Sequence, residues 1–178
     1  QTTIQDHGRY GCRHIGIPQS GAADLFSYKL ANFLLGQLPN ATVLECTLTG
    51  PSLRFLSNMQ IMISGADMQP EVNGSAIDMF APCRVQAGDE LIMHACLVGC
   101  RSYIAFSKDL VCDSFMGSSS TYLPAKLGGL NGKALASGDV VATTGDKVLQ
   151  ARRLESLENL GQNLSNDWVL TALPGPEF

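Results

Sequence analysis

The feature that most constrains this chain is a train of short apolar runs broken at near-regular intervals by turn chemistry. The runs are residues 43–48, 53–56, 60–64, 71–72 with 76–80, 90–95, 101–106, 140–143 and 168–173. Gly50-Pro51, Gly65, Asn73-Gly74, Gly88-Asp89, Gly138-Asp139 and Gly145-Asp146 punctuate them. Glycine reaches positive φ without a steric penalty and proline fixes one φ, so such residues end strands rather than continue them. Short strands at this spacing predict a mainly β fold, a barrel or a sandwich. Asn73-Gly74 is the strongest hairpin signal, because a type I′ turn needs positive φ at both central residues.

One stretch breaks the β pattern. Over residues 22–35, AADLFSYKLANFLL, the apolar period becomes helical, with Leu25, Phe26, Leu30, Phe33 and Leu34 on the expected buried face. Ser20 or Asp24 is placed to cap its start and Gly36 to stop it. A shorter helix-like run, 148–160, carries Arg152 and Arg153 on what reads as a solvated face.

Composition narrows the function classes. The chain has 178 residues, 45% of them apolar and 16% charged, with a formal net charge of −4. That describes a globular chain with a real core. No basic stripe is present to neutralise phosphates, which argues against nucleic-acid binding. No apolar run approaches the roughly 20 residues that span a bilayer. The six cysteines, Cys12, Cys46, Cys83, Cys96, Cys100 and Cys112, include several inside apolar runs, and no secretory signal is visible at Gln1. They read as reduced thiols of a cytoplasmic protein rather than a disulfide framework.

Candidate chemistry gathers in two irregular stretches. Residues 5–24, QDHGRYGCRHIGIPQSGAAD, place Asp6, His7, Arg9, Arg13, His14 and Asp24 among glycines and a proline, then lead into the helix. Residues 117–138 are long, polar and glycine-rich, with Ser118, Ser119, Ser120, Thr121 and Tyr122 at their start. Loops of this length in compact domains are commonly functional. The run Gly128-Gly129 to Gly132-Lys133 lacks the spacing of a phosphate-binding loop. His94, Cys96 and Cys100 lie close in sequence, but no second ligand pair at zinc spacing accompanies them, and two core thiols beside a packed histidine is the simpler reading. No G-x-S-x-G elbow exists to anchor a serine hydrolase triad.

Longer motifs then carry a resemblance. QD-x-GR-x-G, GIP-x-SGA-x-D and LAN-x-LLG are followed in order by LE-x-TL-x-GP-x-L-x-F (44–55), SGAD (64–67), G-x-RSY-x-A (99–105), GS-x-STYL (117–123), GGL-x-G-x-AL-x-x-GD (128–139) and LPGPE (173–177). Together they resemble the allophanate hydrolase subunit 2 family, which includes the C-type subunit of 5-oxoprolinase, an antagonist of a sporulation kinase inhibitor, and a domain of urea carboxylase. His7, Cys12 and Ala23 depart from that pattern, where the family usually has an aliphatic residue, often an aromatic, and usually Met.

The resemblance implies a cyclophilin-like β-barrel with one principal α-helix. It also implies that residues 1–178 are the first lobe of a longer two-lobe protein, with 165–178 starting the link. A subunit 1 or B-type partner, and a third subunit, would complete an ATP-dependent 5-oxoprolinase that opens a lactam to glutamate. The alternatives are a carboxyltransferase-type domain serving a biotin enzyme and a non-catalytic antagonist of a kinase-inhibitor-like partner. Both enzyme readings need a site that polarises the carbonyl of a small amide or lactam and handles a proton on nitrogen. On this resemblance Arg9 is the candidate for carbonyl or carboxylate binding, with Asp6 and Asp24 orienting it or handling the proton. Ser20, Ser118, Ser120, Thr121 and Tyr122 are the candidate donors to substrate. The competing reading makes Arg9–Asp24 an ion pair that holds the loop on the barrel, with the serines capping turns. No metal is expected; ATP belongs to the complex, and biotin only to the carboxyltransferase alternative.

Overall fold

Residues 61–66 and 102–107 are buried without a break, so both faces of the strands that contain them must be covered. The computed structural model, which describes residues 1–145, 149–154 and 169–176, shows how. Its elements in chain order are β1 (Thr2–Gln5), α1 (Leu25–Leu35), β2 (Val43–Thr47), β3 (Ser52–Arg54), β4 (Met59–Asp67), β5 (Glu71–Val72), β6 (Ser75–Ala76), β7 (Cys83–Val85), β8 (Glu90–Ile92), β9 (Val98–Phe106), β10 (Asp109–Leu110) and β11 (Thr143–Thr144). Single 3-10 turns stand at Arg13–Ile15 and Leu123–Ala125.

An antiparallel five-stranded sheet runs in the order β1-β2-β9-β4-β7, and β3-β8-β5-β6 forms a second sheet of four. β10 and β11 make a separate ribbon. Side chains alternate across a strand with period two, and here both sets are apolar. Leu44, Cys46, Ile61, Ile63, Ile104 and Phe106 enter a core shared with Phe55 and Leu91 of the β3–β8 region. Val43, Met62, Tyr103 and Ala105 face the other way and pack with Tyr28, Ala31, Leu34 and Leu35 of α1. The fold is therefore mainly β with one principal helix, as expected. The barrel is open: three separate sheets take the place of a hydrogen-bonded closure.

Several local expectations change. The helix buries Ser27, Tyr28, Ala31, Asn32, Leu34 and Leu35, whereas Leu25, Phe26 and Phe33 are exposed. Polar partners turn that face inward. Tyr28 Oη and Asn32 Nδ2 both donate to the Ala41 carbonyl at 3.0 Å, and Ser64 Oγ donates to the Ser27 carbonyl at 2.6 Å. Gly65 ends no strand: it sits inside β4 at φ 88°, where the register against β9 shifts. A Cβ there would lie 2.4 Å from the Arg101 carbonyl oxygen, so this bulge requires glycine.

The Asn73-Gly74 hairpin forms as expected, with φ of 51° and 76° at its two loop residues. Its second strand stops at Ala76, because the chain turns at Phe80 (φ 58°) and Phe80 N–H donates to the Ile63 carbonyl. Of the run 140–143 only Thr143 is in a strand. β7 and β10 were not anticipated. The expected helix 148–160 and strand 168–173 lie partly outside the described residues; 149–154 and 169–173 form neither helix nor strand. No helix among the described residues is long and apolar enough to cross a membrane.

Candidate functional site

The irregular loop leaves β1 at Asp6 and enters α1 at Asp24, and its two terminal carboxylates do different work. Asp6 is 5% exposed. Its Oδ1 accepts from Gly8 N–H and Ser118 Oγ, both at 2.7 Å, and from Ser120 Oγ; its Oδ2 accepts from Ser119 N–H at 2.7 Å. Burial by itself would raise this carboxyl's pKa. The bonds from Ser120, Ser118, Gly8 and Ser119 outweigh it and hold the pKa below the ordinary 3.8. Asp6 thus ties the opening loop to the Ser/Thr loop as an ionised acceptor.

Arg9 is 1% exposed, and it bridges the same two loops. Nε donates to the Phe115 carbonyl and Nη2 to the Ser120 carbonyl. Nη1 is buried and finds no acceptor among the described residues. Burial lowers the guanidinium's pKa and nearby Asp6 pulls it back up, so Asp6 is its counter-charge through space. Gly128 makes the approach possible: at φ 65°, its Cβ would stand 2.3 Å from the Ser120 carbonyl oxygen and 2.9 Å from Arg9 Nη2.

Asp24 does not pair with Arg9. It is the N-cap of α1, accepting from Phe26 and Ser27 N–H at 3.0 Å and from Ser27 Oγ at 2.6 Å. Its own N–H donates to Tyr103 Oη at 2.8 Å; that hydroxyl donates to Glu45 Oε2, which also accepts from Ala23 N–H, each at 2.8 Å. Arg101 Nε lies 3.6 Å from Glu45 Oε1. Glu45 and Tyr103 were not singled out from sequence. Their signal was present in LE-x-TL and RSY, but a strand-to-loop network spanning 22 to 79 residues has no local signature.

Of the five candidate donors, Ser118 and Ser120 converge on Asp6, and four have their hydroxyl hydrogens already committed. Ser118 and Ser120 donate to Asp6, Thr121 Oγ1 donates to the Ile4 carbonyl at 2.9 Å, and Ser20 Oγ donates to the Thr121 carbonyl at 3.1 Å. Tyr122 is partly exposed, and its N–H donates to the Leu127 carbonyl. Open donors lie elsewhere on the loop. A cavity of about 400 Å³ is lined by Arg9, Tyr10, Gly11, Arg13, His14 and Gln19. A neighbouring one shares Arg13 and Gln19 with it, and neither has an acidic residue in its wall. A larger, mainly apolar cavity of about 700 Å³ holds none of these loop residues. His94 is exposed and sits 3.3 Å from Glu71, and Cys100 is exposed as well, so the expected pair of core thiols beside a packed histidine does not form; among the described residues no group of three His, Cys, Asp or Glu side chains is placed to hold a metal ion.

Residues 15–178 match the family described as carboxyltransferase domain, subdomain A and B. The chain belongs to that family. As a carboxyltransferase-domain chain it is 38% identical over 141 residues to urea amidolyase of Lachancea kluyveri, covering 79% of this chain and 8% of that protein. It is 33% identical over 178 residues to the C-type subunit of 5-oxoprolinase from Escherichia coli, covering 99% of this chain and 56% of that protein. The crystal structure of Kluyveromyces lactis urea carboxylase superposes with a TM-score of 0.85 at 33% identity, over 93% of this chain and 15% of that one. The chain therefore spans little more than half, or far less, of the curated relatives it matches.

Proposed function

We propose that this chain is one lobe of an amide-opening subunit of the ATP-dependent 5-oxoprolinase type. It would act in the cytoplasm beside a subunit 1 or B-type partner and a third subunit, and convert 5-oxoproline to glutamate. The observation that carries this reading is the Arg9 guanidinium: buried, cationic, fixed by two carbonyls, and left with an unused donor nitrogen among the described residues. A planar fork of that kind suits a carbonyl or carboxylate oxygen. Held rigidly, it needs no reorganisation to meet such an oxygen. Asp6, Ser118 and Ser120 then act as positioning residues, and Asp24 sets the helix end.

The alternative is the carboxyltransferase step of a biotin enzyme acting on urea. The 38% identity to urea amidolyase favours it. Reconstitution separates the two. The full-length protein with its partners should release glutamate and ADP from 5-oxoproline and ATP. Carboxyl transfer from carboxybiotin to urea, without lactam opening, would establish the alternative in its place.

A further inference from the structure

Residues 7–20 form an island of opposite charge. The chain as a whole carries −4, yet this stretch holds Arg9, Arg13, two of the three histidines and no acid. Arg13 and His14 are exposed; Arg13 Nη2 is held by Gln19 Oε1 at 3.2 Å, and both line the cavity that Arg9 also walls. Beneath this exposed pair the buried Arg9 keeps one nitrogen without an acceptor among the described residues. A buried cationic donor with no partner is costly unless an acceptor completes it.

The geometry points to a binding subsite for a small carboxylate at Arg9, Arg13 and His14. This deepens the 5-oxoprolinase reading, on which it rests, by assigning recognition of the substrate's carboxylate rather than its lactam to this cavity. Three facts support it together. The cavity's volume, about 400 Å³, suits a ligand of a dozen heavy atoms or fewer. Its walls offer guanidinium and imidazole donors with no competing acid. The ends of the loop are fixed by Asp6 and Asp24, which pre-orders the donors between them.

The test is a titration of the full-length protein, ¹⁵N-labelled and followed by amide chemical shifts, with three probes. They are 5-oxoproline, 2-pyrrolidone (the same lactam without the carboxylate) and inorganic phosphate. The expected result is saturable movement of Gly11, Arg13 and His14 amides with 5-oxoproline, none with 2-pyrrolidone, and at least tenfold weaker binding in Arg13→Ala with the rest of the spectrum unchanged. Equal binding of 2-pyrrolidone, 5-oxoproline shifts confined to other residues, or an unaffected Arg13→Ala would each overturn the subsite. So would phosphate binding at this loop without 5-oxoproline binding. None of these outcomes touches the lactam-opening reading, which stands or falls on release of glutamate by the reconstituted complex.

Discussion

Replacing Asp6 with asparagine should remove about 3 kcal/mol of stability, and the reasoning follows from which donors can turn away. The carboxylate accepts four hydrogen bonds, two from serine hydroxyls and two from backbone N–H groups. An asparagine that keeps its oxygen at the Oδ1 position still serves Gly8, Ser118 and Ser120. Its NH2 then faces Ser119 N–H, donor against donor at 2.7 Å spacing. A buried donor stripped of its acceptor costs about 1–3 kcal/mol, and each remaining bond loses its charge assistance. Arg9 also loses its nearby counter-charge. For a domain of this size the sum corresponds to a fall in Tm of roughly 6–12 °C.

Urea denaturation followed by far-UV circular dichroism measures the difference directly, and its pH dependence has a definite sign. The folded-state pKa of Asp6 lies below its ordinary 3.8, so the charge contributes fully above 3.8 and its contribution fades as pH falls through the lowered folded value. The gap between wild type and Asp6→Asn should stay constant from neutral pH down to about 5 and narrow below about 4. A Tm within about 2 °C of wild type, or a gap that widens on acidification, would refute the idea that an ionised Asp6 pins the two loops.

Gly128→Ala should cost more than about 2 kcal/mol, combining left-handed strain with the close approach to the Ser120 carbonyl. Gly117→Ala, also at positive φ but with open space around it, should lose only about 1 kcal/mol by the same denaturation assay. Among the thiols, Cys46 is buried and its pKa is pushed by burial up to about 12, whereas Cys100 is exposed. Iodoacetamide at pH 8, read by mass spectrometry, should label Cys100 in the native protein and Cys46 only in denaturant.

Local chemistry was legible in the sequence, and distant pairing was not. Asn73-Gly74 could be read as a turn because everything a type I′ loop needs lies within two residues. Gly65 could not be read as a bulge, since what demands glycine is the Arg101 carbonyl on another strand. The helix was found, but its buried face was misjudged. An apolar count takes no account of Tyr28 and Asn32, whose polar atoms are satisfied by Ala41. At the site, the opening loop and the Ser/Thr loop were both singled out, and the structure brings them together. Which atoms meet there was beyond reach, because the hydroxyls that bind Asp6 come from 112 and 114 residues away. For the same reason nothing in the glycine-rich loop's own sequence signals that Arg9 is nearly inaccessible.

That inaccessibility bears on how the loop works. A guanidinium on a flexible loop would lose side-chain entropy on meeting a ligand, and would meet it in many orientations. Here the loop is fastened at its start by Asp6 to residues 118–120, and at its end by Ala23 and Asp24 to Glu45 and Tyr103. The first fastening uses the Asp6 carboxylate and the second the Glu45 carboxylate, while the Asp24 carboxylate caps α1; all three are occupied by protein donors. The acids at the loop's ends are thereby withdrawn from the cavity while the cations between them are left facing it. Placing every acid of the loop in its anchors and its cations in the middle is what a site for an anionic ligand requires, and it arises in a chain whose overall charge would otherwise repel one.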